Sequence, residues 1–280
     1  MPSRSPIERH YNAQGAGLVE RVLGALRDAG KDPESLTLDD LAPMDEFHIR
    51  GRHATRELAA MAGISAADRV LDVGCGIGGP SRYLAGTFGC GVTGMDLVEE
   101  YCRVAEVLAR GTGLKESVEY RQGDALAMPF TDGAFDVAWT QHSTMNIQDK
   151  TGLYREIRRV LKQGGRLAMY EVVQGAGGEL RYPVPWARDP SISFLMTAAE
   201  VRETLEQAGF RVCEWQDGTA TALEWFRATV ARRSAGGDAP KLGLHAVLGP
   251  EIRQMGMNMA LNLEEGRIGV AQAVLLRPEG

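Results

Sequence analysis

The spacing of apolar positions divides this chain into a helical opening and an alternating body. Near the start, "AGLVERVLGALRDAG" sets Leu18, Val19, Val22, Leu23 and Leu26 on one stripe and offers Gly30 as a stop. "GRHATRELAAMAGI" predicts a second helix. Between them "TLDDLAPMDEFHIRG" mixes acids, a proline, an aromatic and His48, and reads as an ordered loop. From Arg69 the segments "RVLDV", "VTGMDL", "VEYRQGD", "FDVAWTQ" and "RLAMYEVV" are expected strands. They alternate with helices over "PSRYLAGTF", "EEYCRVAEVLARG" and "KTGLYREIRRVL", with turns at "PFTDGA" and "KQGG". Strands separated by helices predict βαβ units and a parallel sheet.

After Val173 a Gly/Pro-rich loop, "QGAGGELRYPVPWARDPSIS", precedes the helix "TAAEVRETLEQAGF" and the strand "RVCEWQD". "TALEWFRATVARR" is helical, "SAGGDAPK" is the best flexible connection, and "GVAQAVLLRP" alternates as a final strand. No repeat and no linker between two independent domains is visible. The chain is long enough, at 280 residues, to bury a full core.

Composition changes this picture little: 44% hydrophobic and 24% charged residues are ordinary for a globular protein. A net charge of -6 argues against a broad nucleic-acid-binding face. Cys75, Cys90, Cys102 and Cys213 form no C-x-x-C and no zinc spacing, so reduced core or near-core thiols are expected and no metal. "MPSRSPIERHYN" lacks the apolar run of a signal peptide, and no segment has the apolar length of a membrane span. A cytoplasmic protein is the expectation, and a homodimer stays open.

Chemistry concentrates in "RVLDVGCGIGGPSRYLA". It satisfies G-x-G-x-x-G through Gly74, Gly76 and Gly79, a dinucleotide signal, and also D-x-G-x-G-x-G through Asp72, Gly74, Gly76 and Gly78. Asp72 ends its strand two residues before Gly74, where a carboxylate repels a diphosphate and suits a ligand bearing ammonium and sulfonium charge. Equally, Asp72 caps the turn through its side chain. Asp96 in "GMDL" ends the next strand, placed to accept hydrogen bonds from ribose hydroxyls of either adenosine ligand. Asp124 in "GDALAMPF" follows a further strand within reach of an adenine amine, with Met128, Pro129 and Phe130 as apolar surroundings or as plain turn and core.

Together these residues resemble the class I S-adenosylmethionine-dependent methyltransferases. "VLDVGCGIGG", "GMDL", "QGDALAMPF", "FDVAWTQHSTMNIQDK" and "REIRRVLKQGGRLAMYEV" stand in that family's order over roughly Arg69 to Val173. The "GGPSRYLA" loop, the N-terminal helices and the "YPVPW" insertion are most similar to small-molecule enzymes of the sarcosine/dimethylglycine type. The resemblance implies an α/β fold: a Rossmann-like doubly wound, mostly parallel seven-stranded sheet with an antiparallel last strand. An N-terminal helical cap or lid occupies 1–65. A cofactor-binding domain occupies 66–280, with substrate-side insertions near 174–195 and 217–266.

It also implies S-adenosylmethionine as cofactor. Asp72, Gly74, Cys75 and Gly76 would hold its methionine half, and Asp96 its ribose, with Leu97 beside the adenine. Asp124 and Ala125 would take the adenine edge, and Gln141 would touch the methionine portion and face the substrate.

The implied function is methyl transfer to a small-molecule acceptor, nitrogen slightly favoured over oxygen or carbon. His142, directly after the fourth strand, is the candidate general base, because its unperturbed pKa lies near neutrality; orienting the loop or the substrate is the equal alternative. Tyr11, His48, His142 and Trp186 are the candidate substrate residues. Tyr11 and Trp186 are expected as aromatic walls for a cation, or as packing residues. His10 and His53 read as surface or packing positions. A nicotinamide-dependent oxidoreductase using the glycine loop, and a non-catalytic binding module with this fold, remain the alternatives. A nucleic-acid methyltransferase lacks support, since "TQHSTMN" stands where a base-modifying signature would.

Overall fold

The computed structural model describes residues 5–11, 17–234 and 241–279. Four helices come first: α1 (Pro6–Tyr11), α2 (Leu18–Asp28), α3 (Leu38–Asp45) and α4 (Arg52–Ala62). Then β1 (Arg69–Val73), α5 (Gly79–Phe88), β2 (Gly91–Asp96), α6 (Glu99–Gly111), β3 (Val118–Gln122) and β4 (Phe135–Gln141) follow. A short turn of 3-10 helix at Thr144–Asn146 leads into α7 (Lys150–Val160) and β5 (Leu161–Gln174). The remainder is α8 (Ala198–Gln207), β6 (Arg211–Asp217), α9 (Thr219–Ser234), α10 (His245–Leu248), α11 (Ile252–Glu264) and β7 (Ile268–Leu276).

Among the described residues the strands form one sheet in the order β3-β2-β1-β4-β5-β7-β6. β1 to β5 pair in parallel, while β7 runs antiparallel to both β5 and β6. The strand order reverses between β1 and β4, so the crevice where such sheets take ligands lies beyond the carboxyl ends of those two strands.

Most expected elements stand where the apolar periods put them, and β4 and β6 match to the residue. Two differ. "KQGG" is no separate turn: β5 begins at Leu161 opposite Phe135 and resumes its pairing at Arg166 opposite Val137, so the intervening residues bulge from the strand. The expected loop around "TLDDLAPMD" is helix α3. Thr37 accepts from the Asp40 amide while the Asp40 carboxylate accepts from the Thr37 amide, a reciprocal cap that outweighs Pro43 inside the helix. α11 was not read from the sequence at all. The "SAGGDAPK" connection falls largely at 235–240, outside the described residues. Among the described residues no helix is long and apolar enough to cross a membrane.

The opening helices are packed onto the sheet unit. Leu18, Val22 and Leu26 bury against Val98, Tyr101, Val104 and Leu108, largely on α6. The tightest junction lies between α3 and α5. Arg82 Nη2 donates to Asp45 Oδ2 at 2.8 Å with both side chains fully buried. Arg82 Nη1 also donates to the Ile77 carbonyl at 2.7 Å. A Cβ on Gly79 would stand 2.2 Å from the Asp45 carbonyl oxygen, so only glycine permits this approach. The last glycine of G-x-G-x-x-G is therefore required by the packing of α3. Cys75, Cys90 and Cys102 are buried as expected, whereas Cys213 is exposed on the edge strand β6.

Arg82→Ala leaves Asp45 as an uncompensated buried charge, and a loss of about 3–5 kcal/mol of unfolding free energy is expected in chemical denaturation. A loss below about 1 kcal/mol contradicts the clamp.

Candidate active site

A cavity of 730 Å³ opens at the carboxyl edge of β1, β2 and β4 and is covered by α1 and the residues after α3. That volume lies within the range of about 300–1,000 Å³ usual for ligand pockets. It brings together Asp72, Gly74, Cys75, Gly76, Asp96, Leu97, Asp124, Ala125, Gln141, His142, His48 and Tyr11. Trp186 is the exception, and its expected role as a substrate wall is corrected. It is 2% exposed, its indole N–H donates to Ser193 Oγ at 2.9 Å, and its carbonyl accepts from Asn146. Ile192 and Phe194, slightly further along the same loop, line the cavity instead. Met128 and Phe130 also turn away: Met128 is buried, and Phe130 packs edge-on against Phe135 at 5.1 Å. Leu97, Val98 and Leu126 supply the apolar surface there.

The amides of the glycine loop are bonded to the end of β2. The amides of Gly74 and Cys75 both donate to the Met95 carbonyl, at 2.7 and 3.1 Å. The Gly76 amide donates to Asp96 Oδ2 at 2.9 Å. Pro80 removes a further donor from the first turn of α5. A diphosphate depends on unclaimed loop amides, and the first three loop amides are already claimed. Gly74 has φ +77°, and a Cβ there would stand 2.4 Å from Ser143 Cβ, so the loop meets the end of β4 only without a side chain.

Two of the acids lining this cavity stand at the carboxyl ends of β1 and β2. Asp72 accepts from Ser81 Oγ at 2.6 Å, so it does fasten the start of α5; burial nevertheless pushes its carboxyl up to about 7, with the charges of Asp96 and Glu46 adding to the effect. Asp96 accepts from the Gly76 and Val98 amides, and burial raises it to about 6. Asp124 stands exposed at the rim and accepts from the Leu126 amide at 2.9 Å. Gln141 Oε1 accepts from the Trp139 indole at 2.9 Å, which leaves Gln141 Nε2 buried without a partner. Ser143 Oγ is buried and unpartnered as well. Buried donors without partners call for a ligand that brings acceptors.

His142 adopts φ +48°, in the left-handed region, which non-glycine residues seldom occupy outside functional sites. Its ring stacks on Tyr170 at 4.9 Å. Its Nδ1 accepts from the Ile49 amide at 3.2 Å, so the neutral ring carries its proton on Nε2. Burial, helped by His48, holds it well below the usual histidine range. With one nitrogen occupied and the other protonated, the ring has no open lone pair. The expected general base is arranged as a donor instead, and that expectation is corrected.

His48 is different: Nε2 donates to the Gly51 carbonyl at 3.0 Å and sits 3.3 Å from Glu46 Oε2. His10 bonds the Pro185 carbonyl and His53 is exposed on α4.

Sequence reasoning missed Phe47, Tyr101 and Asn146. Tyr101 is edge-on to Tyr11 at 5.9 Å and to Phe47 at 6.1 Å, forming an aromatic wall. Asn146 accepts from the Tyr11 hydroxyl at 2.8 Å and donates to the Trp186 and Ile192 carbonyls, tying α1 to the proline-rich loop. The polar run after β4 was its only signal.

A reversed sheet with its last-numbered strand antiparallel, and an acid-lined glycine loop at the switch point, define the class I methyltransferase fold. Residues 71–169 match the family model described as a methyltransferase domain, and the chain is similar to methyltransferases in both sequence and fold. It is 35% identical over 134 residues to the methyltransferase GfsG of Streptomyces halstedii, covering 48% of each chain. Over 175 residues it is 29% identical to the glycine/sarcosine/dimethylglycine N-methyltransferase of Actinopolyspora halophila, covering 62% of this chain and 31% of the relative. The match thus spans less than half the length of either curated relative. Among solved structures, the (4+2)-cyclase SpnF aligns with a TM-score of 0.66 at 26% identity, over 96% of this chain and 97% of that one.

Asp72 generates a test. Its folded pKa lies above the unfolded value of 3.8, so the folded state binds more protons between about pH 4 and pH 7, and this group's contribution to stability is lost as pH rises across that window. Asp72→Asn should therefore be more stabilising at pH 7.5 than at pH 5 in parallel denaturations. An effect independent of pH contradicts the buried, protonatable carboxyl.

Proposed function

We propose that this protein binds S-adenosylmethionine on the glycine loop and transfers its methyl group to a small-molecule acceptor held under α1. When bound, S-adenosylmethionine supplies a methyl group on a sulfonium already activated for displacement. The observation that carries the reading is the pairing of loop amides already claimed by β2 with buried acids facing the cavity, which fits a cationic adenosine ligand and not a diphosphate. In this reading Asp72 faces the cationic methionine end, and Gln141 Nε2 and Ser143 Oγ meet its carboxylate. Asp96 takes the ribose hydroxyls, and Asp124, Ala125 and Leu97 bound the adenine. The remaining task of the chain is alignment and exclusion of water, which can supply most of the acceleration for a displacement of this kind. A nitrogen acceptor has the sarcosine-type resemblance alone behind it, and the cavity walls described below favour oxygen instead. The roles of 1–65 as lid and of 174–195 and 217–266 as substrate-side insertions are part of the same proposal; Ile7, Tyr11 and Ile192 on the cavity wall support it for the first two.

A second reading, use of the same pocket without methyl transfer, is favoured by the end-to-end similarity to SpnF, a cyclase. Release of S-adenosylhomocysteine from an acceptor panel separates the two.

Calorimetry should show S-adenosylmethionine binding and no NADH binding. Asp96→Ala should weaken the former by about 1–3 kcal/mol, roughly 5–150-fold, because buried ribose hydroxyls lose their acceptor. Unchanged affinity removes the pocket assignment. The ligand's cation favours ionised Asp72 and Asp96, whose free values are about 7 and about 6, so affinity should rise as pH is raised from about 5.5 to 8. A flat or falling profile argues against those contacts. Limited proteolysis should cut α1 or the 181–193 loop more slowly with the ligand present; equal rates remove the lid.

A further inference from the structure

We infer that the acceptor is an uncharged, largely apolar alcohol or phenol, and that His48 Nδ1 receives the proton its hydroxyl loses. The inference rests on the methyl-transfer reading above and adds the acceptor class and the base.

The acceptor class follows from the walls. Where α1 and the 190s loop enclose the cavity, they present Ile7, Ile192 and Phe194, with Phe47 and Ile147 beside them. Among the described residues the wall carries no lysine or arginine. An anionic acceptor would be buried among carboxylates with no counter-charge, a costly arrangement. The wall acids away from the glycine loop already serve the fold: Glu8 accepts from the Ser5 amide, Asp149 from the Gly152 amide, and Asp45 from Arg82. None stands as a dedicated ammonium site.

The base follows from the tautomers. The Gly51 carbonyl can only accept, so its 3.0 Å contact fixes the His48 proton on Nε2. Thr55 Oγ1, 3.0 Å from the same nitrogen, donates to Glu46 Oε2 at 2.9 Å. Arg52 holds the other Glu46 oxygen at 3.0 Å. Carbonyl, carboxylate and hydroxyl thus all gather on Nε2, leaving Nδ1 as the lone-pair nitrogen of a ring on the cavity wall. His142, whose ring centroid is 6.1 Å away, has its own Nδ1 occupied by the Ile49 amide.

Burial lowers His48 to about 4, with the Gly51 carbonyl and Asp45 opposing, and this weakness selects the acceptor. A protonated amine, with a pKa of about 10, must lose its proton before it has a lone pair to attack with, and the burial that lowers His48 disfavours that transfer. A neutral hydroxyl oxygen already has lone pairs. One pair forms the O–CH3 bond while the C–S pair returns to sulfur as the thioether. The oxygen becomes strongly acidic as that bond forms, and its proton passes to His48 Nδ1 and then to solvent. Glu46 stabilises the imidazolium through the Nε2 side.

The test has two parts. Histidine 15N NMR on the ligand-free protein should show His48 neutral near pH 6 with its proton on Nε2; a proton on Nδ1 overturns the inference. S-adenosylhomocysteine release should then be measured with butylphenol, octanol, benzylamine, glycine and phosphoethanolamine. Release with a hydroxyl compound is expected, and release confined to the amines or anions overturns it. His48→Gln should lower kcat for the hydroxyl acceptor about a hundredfold or more, with KM and S-adenosylmethionine affinity little changed. Undiminished turnover in that variant removes the base role. Failure of S-adenosylmethionine to bind defeats the parent reading; binding followed by transfer to an amine defeats this one alone.

Discussion

The buried contact between Arg82 and Asp45 is the constraint on which the site depends. Arg82 belongs to the helix that follows the glycine loop, and Asp45 ends the helix whose next residues are Glu46, Phe47 and His48. Joining the two places the cap's aromatic and imidazole groups over the loop. The pair gains little net stability, since removing two charges from water costs about what their attraction returns. Its effect is one of register, because Arg82 also reaches the Ile77 and Ala105 carbonyls and the Tyr120 hydroxyl, which fixes where its partner Asp45 can stand. Gly79 belongs to the same arrangement, since the Asp45 backbone rests on its bare Cα.

From that register comes the character of the cavity. The loop amides turn inward to Met95 and Asp96, which removes the positive surface a phosphate would need. The carboxyls of Asp72 and Asp96 are left in a poorly solvated space, where burial raises both above the usual carboxylate range and a cation favours their ionised forms. The cap contributes the opposite chemistry: apolar walls and histidines whose protons are assigned by backbone groups. A pocket with buried acids at one end, and at the other apolar walls whose acids are tied into the fold, suits a positively charged methyl donor and an acceptor without charge.

Much of this was legible because it is local. Alternating apolar residues fixed β4 and β6 to the residue, and the acids ending β1 and β2 stood at predictable distances from the glycines. What escaped depends on contacts distant in sequence. Helix α3 was hidden because Pro43 and the run of acids masked the Thr37–Asp40 cap. Trp186 looked like a pocket wall, but the carbonyls and side chains around Asn146 draw it inward. His142 had the right position for a base, yet the Ile49 amide, 93 residues away, claims the nitrogen that role requires. No spacing rule reports which nitrogen of a histidine is already taken.

A crystal structure with S-adenosylhomocysteine tests the central claim most directly. The ribose should lie on the Asp96 carboxylate and the amino acid portion against Asp72 and Gly74, with the sulfur facing the space beneath His48. An adenosine compound lying elsewhere, or a diphosphate accepted by the amides of Gly74 to Gly76, would contradict the account.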